Sequence, residues 1–408
     1  MKCRHCNSEV TQPFCDLACS PPSNAYLSDE QLDAAEIWAP LRTYVCGKCF
    51  LVQTQDFHVP DELFVTDYGY FSATSASWLK HCEAYVNMIS QRLELDASSL
   101  VVELASNDGY LLQYVKELGI PCLGVEPTQS TAEAARAKGI EVISDFFGTK
   151  LAGQLVEQGR QADLIIGNNV LAHVPDINDF LKGVTQLLAE DGVATFEFPH
   201  LLQLIKFNQF DTIYHEHYSY LSLLAVETIS RAAGLTVFDV EKLTTHGGSL
   251  RVYLQRSDTG QRPQGPNVPV LQKEELDAGL ADVASYGKFQ SVTSDIKFDL
   301  LEFLLEQRQA GKKVAAYGAA AKGNTLLNFS GVRSDMIPYV VDRSPGKLGR
   351  NMPGSRIPIV AEERIREDKP DYIIILPWNI ADEIETQLAY VREWGAKFVR
   401  AIPELRVW

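Results

Sequence analysis

The chain has 408 residues, 46% hydrophobic and 22% charged, the make-up of a globular protein long enough for roughly two to three domains. Acidic residues outnumber basic ones 53 to 37, a net charge of −16, which argues against nucleic acid as a partner because phosphate backbones call for a basic face. No apolar run approaches the ~18 residues of a membrane span, and the opening residues MKCRHC lack the apolar core of a secretory signal, so a cytoplasmic protein, monomeric or weakly dimeric, is expected.

Two Cys-x-x-Cys pairs come first along the chain, Cys3/Cys6 and Cys46/Cys49. Thiolates two residues apart turn toward one point, and a second pair alongside completes a tetrahedral zinc site of structural type. Four sulfurs leave no open position for water, so the metal holds a fold and does no chemistry. A disulfide or scattered free thiols are the alternatives. Cys15 and Cys19 read as small buried hydrophobes, or else as spare ligands. Residues 1–65, rich in Cys, Pro and polar turns, form the metal-supported module.

A helix is expected near 76–93, and an α/β pattern begins after it. The strands are LVVEL (100–104), CLGVE (122–126), EVIS (141–144), DLIIG (163–167) and VATFEF (193–198), with helical segments at 109–118 and 131–139. Such alternation predicts a doubly wound sheet. TVFDVEKL (236–243) and SLRVYLQ (249–255) read as an antiparallel edge joined by a Gly-Gly turn. The Gly- and Pro-rich stretch 257–269 reads as a linker. Past a helical segment at about 270–310, a second α/β unit has strands in KKVAAYG (312–318), MIPYVVD (336–342), DYIIIL (371–376) and KFVRAIP (397–403). The fold class is α/β with three parts, 1–65, 66–260 and 261–408.

The first strand of the middle part turns into its helix through Glu103, Ala105, Ser106, Asn107, Asp108 and Gly109. Small residues let the backbone approach a ligand, and a helix start offers free amide donors. Glu126, about 20 residues on at the next strand end, can accept both hydroxyls of a ribose. Asp145 follows the third strand and is placed to accept from an adenine amino group; Asn168 and Asn169 close the fourth. An acid opens this loop and three glycines are absent, so a ligand without phosphates suits it. S-adenosylmethionine, with its sulfonium, amine, ribose and adenine, fits.

After the fifth strand comes YHEHY (214–218). Three readings stand side by side: His215 and His217 ligate a metal, the residues are a polar loop, or His217 is a general base positioned by Glu216 and flanked by Tyr214. Histidine suits the last role because its pKa lies near neutrality. His173, Tyr68, Tyr70 and His246 read as active-site or rim side chains. In the last part, YGAAAKGNTLLN (317–328) could be a dinucleotide site, a handle for a phosphorylated substrate at Lys322, or close helix–sheet packing. Asp342, Trp378 and Asn379 stand at later strand ends.

Taken together, the Cys pairs, DYGYFSATSASW (67–78), VVELASNDGYLL (101–112), NNVLAHVPD (168–176), YHEHYSYLS (214–222), HGGSLRVY (246–253), YGAAAKGNTLLN and LPWN (376–379) resemble the three-domain sugar C-methyltransferases of deoxysugar pathways over the whole chain. The resemblance implies a zinc-binding N-terminal domain, a class I methyltransferase Rossmann-like domain and a C-terminal Rossmann-like domain. It also implies methyl transfer from S-adenosylmethionine to a carbon beside the keto group of a nucleotide-linked deoxysugar. His217 is then the base, with Tyr214, Glu216, Tyr68 and His173 around the sugar, while His246, Lys322, Asn324, Trp378 and Asn379 hold the substrate. Ala105 stands where many methyltransferases have glycine, which a negative φ would tolerate. Other acceptors, an oxidoreductase using the last domain, or a non-catalytic binding protein are the alternatives.

Overall fold

A computed structural model describes residues 1–57 and 71–408 of the protein; Tyr68 and Tyr70 lie outside the described residues. Three strands open the chain: β1 (Gln12–Ser20), β2 (Ala39–Val45) and β3 (Val52–Thr54). The next run alternates with helices: β4 (Val101–Leu104), β5 (Cys122–Val125), β6 (Glu141–Ile143), β7 (Ala162–Asn168) and β8 (Leu188–Pro199). The two-residue β9 (Ser219–Tyr220) precedes the hairpin of β10 (Leu235–Leu243) and β11 (Ser249–Arg256). The last third carries β12 (Val314–Tyr317), β13 (Val340–Val341), β14 (Ile359–Val360), β15 (Tyr372–Ile375), β16 (Lys397–Arg400) and β17 (Arg406–Val407).

The middle sheet has the order β10-β11-β8-β7-β4-β5-β6. Its strands β4 to β8 pair in parallel, while β11 pairs antiparallel with both β8 and β10, the expected edge. All four residues of β4 are buried, as a central parallel strand covered on both faces requires. One cover is the helix Ala76–Arg92, whose buried residues Trp78, Cys82, Tyr85, Val86 and Ile89 recur at helical spacing. The Ser75 side chain accepts from the Trp78 amide and starts this helix. Gly109, with φ 73, lets the next helix pack: a Cβ there would meet Ile140 Cδ1 at 2.4 Å.

The last sheet, β14-β13-β12-β15-β16-β17, is parallel apart from β17. The stretch expected to be a linker is pinned. Gln255 and Arg262 exchange two hydrogen bonds, and a helix already begins at Asn267. That helix packs on the middle domain through Val268 and Leu271. Its buried Glu275 accepts from the Leu223 and Leu224 amides and from His200, satisfying donors that the helix Leu223–Ala232 leaves open at its start.

The N-terminal sheet runs β1-β2-β3-β9, so its fourth strand comes from the middle of the chain. Its core is shared as well. Phe14 stacks on Phe289 with ring centroids 4.6 Å apart, and Phe14, Cys15 and Leu17 join one cluster with Ile296, Leu300 and Leu326 of the last domain. Cys15 is buried as expected, but Cys19 is exposed, where β1 loses register with β2 between Asp16 and Cys19. The Sγ atoms of Cys3, Cys6, Cys46 and Cys49 all lie within 4.8 Å of one another, with 3.5 Å between Cys3 and Cys49 and between Cys6 and Cys46. Zinc–sulfur bonds of about 2.3 Å in a tetrahedron set sulfur spacings of that size, so the four thiolates fit the metal.

Metal analysis of the protein made without chelator should find about one zinc per chain. Because binding energy at such a site is folding energy, Cys46→Ser should lose the metal and lower the unfolding temperature.

Candidate active site

A cavity of about 550 Å³ opens at the carboxyl ends of β4, β5 and β7 and is roofed by the other two domains. On the middle domain's side it is lined by Ala105, Asn107, Tyr110, Glu126, Asp145 and Asn168. Glu126 Oε2 accepts from the Asn107 amide and Oε1 from the Thr128 amide, both at 2.9 Å. The strand-end acid thus latches the glycine-loop backbone while facing the cavity. Asn168 presents a buried Nδ2 with no hydrogen-bond partner among the described residues, a donor on the cavity wall.

The loop differs in several details from its sequence reading. Ala105 has φ 56, in the left-handed region and not at the negative φ expected, because the backbone must turn sharply to leave β4 for the helix. Glu103 is fully buried and does not line the cavity among the described residues. It lies behind the loop, where burial pushes its carboxyl well above the usual range and the neighbouring Tyr110 hydroxyl pulls the other way. Ser106 packs over Gly124, where a Cβ would come within 2.4 Å of its Oγ. Asp108 accepts from the Ala73 amide and faces Lys138 at 3.7 Å. These three side chains, with Gly109, shape the loop from outside the cavity.

The segment YHEHY is a tight turn and not an extended strand: the His217 amide donates to the Tyr214 carbonyl at 2.9 Å. The turn brings the Tyr214 and His217 rings to 3.9 Å and leaves His217 4.7 Å from His173. His217 Nδ1 lies 2.9 Å from the Thr212 carbonyl. A carbonyl only accepts, so Nδ1 carries the proton and Nε2 is left with its lone pair. Glu216 was expected to position His217, but Thr212 does so, and both Glu216 oxygens accept from Asn24 Nδ2 at 2.8 Å. His215 Nε2 lies 3.3 Å from the Pro40 carbonyl, and among the described residues the one cluster of three or more candidate metal ligands is the four cysteines. Burial drives the His217 pKa well below its usual value, with the nearby His173 adding to the effect. Burial lowers His173 and His246 to about 4 and raises Glu216 to about 7. Among the described residues, the three histidines on the cavity, His173, His217 and His246, are thus all biased toward the neutral form.

The last domain supplies Ala320, Ala321, Lys322 and Lys347 to the wall. Lys322 Nζ donates to Asn379 Oδ1 at 2.6 Å and lies 4.7 Å from the centre of the Trp378 ring. Trp378 in turn donates to the buried Asp211. Trp378 and Asn379 thus support Lys322 from behind. Asn324 does not line the cavity, because its side-chain amide donates to the Ser23 carbonyl at the seam with the N-terminal module. His246, with φ 53, accepts from Asn169 Nδ2 at 3.1 Å and lies 5.2 Å from the Trp78 ring. Asn24, Trp78, Tyr110, Thr212 and Lys347 were not singled out by sequence. Trp78 and Tyr110 sit inside motifs that were; the others carry no local signal.

Three family descriptions match consecutive stretches: a zinc binding domain over 3–64, a methyltransferase domain over 79–240 and a C-methyltransferase C-terminal domain over 244–403. A C-methyltransferase of Streptomyces niveus, NovU, is 34% identical over 406 residues, covering 100% of this chain and 96% of the relative. A ubiquinone biosynthesis O-methyltransferase of Bartonella quintana is 27% identical over 94 residues, 23% of this chain and 38% of that protein. Among solved structures, an S-adenosylmethionine-dependent methyltransferase of Clostridium acetobutylicum aligns with 45% of this chain and 92% of its own, at 14% identity and a TM-score of 0.36.

Two substitutions test the cofactor wall. Ala105→Gly removes a left-handed penalty of about 1–2 kcal/mol and gives back about 0.4–1 kcal/mol of unfolded-chain entropy. It should raise stability in urea unfolding by about 0.5–1 kcal/mol. Glu126→Ala should weaken S-adenosylmethionine binding in calorimetry by about 5- to 150-fold, the equivalent of roughly 1–3 kcal/mol for unpaired buried polar groups.

Proposed function

The chain belongs to the C-methyltransferase family of its full-length relative, and from that premise we propose that it methylates a nucleotide-linked 4-keto-deoxysugar, of the dTDP type, at the carbon next to the ketone. Dependence on S-adenosylmethionine and a structural zinc follow from the matched domains and the four-thiolate cluster. The reading divides the labour as 1–65 for the metal module, 66–260 for the cofactor and 261–408 for the acceptor. The acceptor is a small molecule and the compartment the cytoplasm. In support, no helix among the described residues is long and apolar enough to cross a membrane, and thiolate clusters persist where thiols stay reduced.

One observation carries the mechanism: His217 has its proton on Nδ1, bound to the Thr212 carbonyl, and an open lone pair on Nε2 beside the cavity. Carbon is methylated only as a carbanion equivalent, which here is the enolate of the ketone. His217 Nε2 takes the α-proton, and the electron pair of that C–H bond moves toward the carbonyl oxygen. Held along Ala105, Asn107, Glu126 and Asn168, S-adenosylmethionine would supply an electrophilic methyl group for the enolate carbon and keep the sulfur–methyl electron pair on its sulfur as a neutral thioether. Tyr214, whose ring centre lies 3.9 Å from that of His217, is assigned to donate to the developing oxyanion, while His173, its ring N–H taken by the Glu216 carbonyl, packs against His217. Tyr68 is assigned to the same sugar pocket from sequence alone. Glu216, fixed by Asn24, faces the acceptor's polar groups. Lys322 and Lys347 offer cations to its phosphates inside an acidic protein, and His246 with Trp78 closes the side between the two ligands.

The burial that lowers the His217 pKa weakens it as a base and also keeps it ready. An imidazole whose folded pKa is depressed is neutral at every pH above that value. The acid limb of kcat should therefore fall below pH 6.5, the ordinary imidazole value. His217→Asn should lose ~10²–10⁴-fold in turnover while S-adenosylmethionine binds as before. In heavy water, with S-adenosylhomocysteine in the cofactor site, wild type should exchange the α-proton of the keto sugar and the variant should not. Exchange at the wild-type rate in His217→Asn would falsify the assignment and move the base to Tyr214.

A further inference from the structure

Arg4 stands between two metal ligands, Cys3 and Cys6, yet its side chain reaches away from the sulfurs and is 7% exposed. Its guanidinium donates to the Pro175 carbonyl at 2.7 Å, the Thr54 carbonyl at 3.1 Å and Asp56 Oδ1 at 2.6 Å, and lies 5.2 Å from the centre of the Tyr218 ring. Tyr218 follows His217 directly. Pro175 follows His173 by two residues and lines the cavity. On its other side it borders, with Asp56, a surface groove of about 710 Å³ beside the Cys cluster. Thr54 holds the catalytic turn directly: its hydroxyl donates to the His217 carbonyl at 2.9 Å and its amide to the Tyr218 carbonyl at 3.1 Å. The Tyr218 amide then returns to the Ala172 carbonyl at 2.8 Å.

These contacts close a ring through Arg4, Thr54, His217–Tyr218, Ala172–His173 and Pro175. Gln53 ties the ring to the metal cluster, accepting from the Arg4 amide at 2.9 Å and donating to Cys3 Sγ at 3.3 Å. We propose that Arg4 is a positioning residue that sets the spacing of His173 and His217 from the zinc knuckle, so the knuckle braces the active site as well as the N-terminal fold. The role calls for arginine. Its planar fork serves two carbonyls and a carboxylate at once, whereas a lysine ammonium on a flexible stem cannot hold all three in place.

The test uses full-length, zinc-loaded protein with ¹⁵N-labelled imidazoles. Two buried ring N–H groups give reporters: His217 Nδ1–H on the Thr212 carbonyl, and His200 Nε2–H on Glu275 at 2.7 Å, outside the ring of contacts through Arg4. In Arg4→Met the His217 resonance should shift or broaden while the His200 resonance stays. Zinc content should remain about one per chain, and S-adenosylhomocysteine affinity should stay within about two-fold. Turnover should fall about ten-fold, with Arg4→Lys between the variant and wild type. Thr54→Val, which removes only the hydroxyl on the His217 carbonyl, should move the same resonance and serves if Arg4→Met does not fold. The inference rests on His217 being the base only for the turnover measurement; the ring resonances need no acceptor. It is overturned if His217 and His173 keep their wild-type resonances in both variants, if His200 moves as much as His217, or if Arg4→Met loses its zinc.

Discussion

The backbone of residues 212–220 is held from three directions, and everything the cavity does depends on that anchorage. A neutral imidazole buried beside a second imidazole has no bulk water to orient it, so fixed partners must. The Thr212 carbonyl fixes the His217 ring, Thr54 of the N-terminal module fixes its main chain, and Thr325 of the last domain donates to the Ile213 carbonyl at 2.9 Å. Asn24 of the N-terminal module holds the adjoining carboxylate. No single domain supplies this set, which explains why the three pack around one short turn.

The cavity that results is electrostatically divided. Glu126, Asp145, Asp176 and Asp179 belong to the wall built by the middle domain, and Lys322 and Lys347 to the wall built by the last. A sulfonium-bearing cofactor would meet the acidic wall, and the anionic acceptor proposed above would meet the basic one. The neutral histidines lie between, where a charge would meet both walls. Burying a lysine costs desolvation, and the Lys322 pKa is lowered for that reason, with the nearby Asp211 opposing. The indole of Trp378 and the amide of Asn379 are the compensation the fold provides.

Sequence carried the parts of this design that are local. Cys-x-x-Cys spacing identifies ligands because two residues set the geometry of two sulfurs. Glu126 is legible from its distance along a strand–helix–strand unit, and His217 from the crowding of titrating groups after β8. What depends on chain segments far apart was not legible: Asn24 reaching Glu216 across 192 positions, Lys347 arriving from a loop without a motif, or β9 pairing with β3. The Ala105 conformation escaped because alanine gives no local mark of a left-handed turn, as glycine does. Glu103 and Asn324 were misplaced for a related reason. Strand-end and helix-start positions can face a ligand or the protein behind it, and periodicity does not tell which.

The pairing of β3 with β9 also bears on the order in which the chain assembles. Residues 1–57 leave the ribosome before Ser219 and Tyr220 exist to cover the β3 edge, and before Phe289 can cover Phe14. Until then they present an open strand edge and an unshielded aromatic, the features that invite wrong partners in large, slowly completed proteins. The metal needs only Cys3 through Cys49 and so can hold this early segment in shape while it waits. Residues made early are thus buried late, and the zinc module is a component finished by segments that follow it.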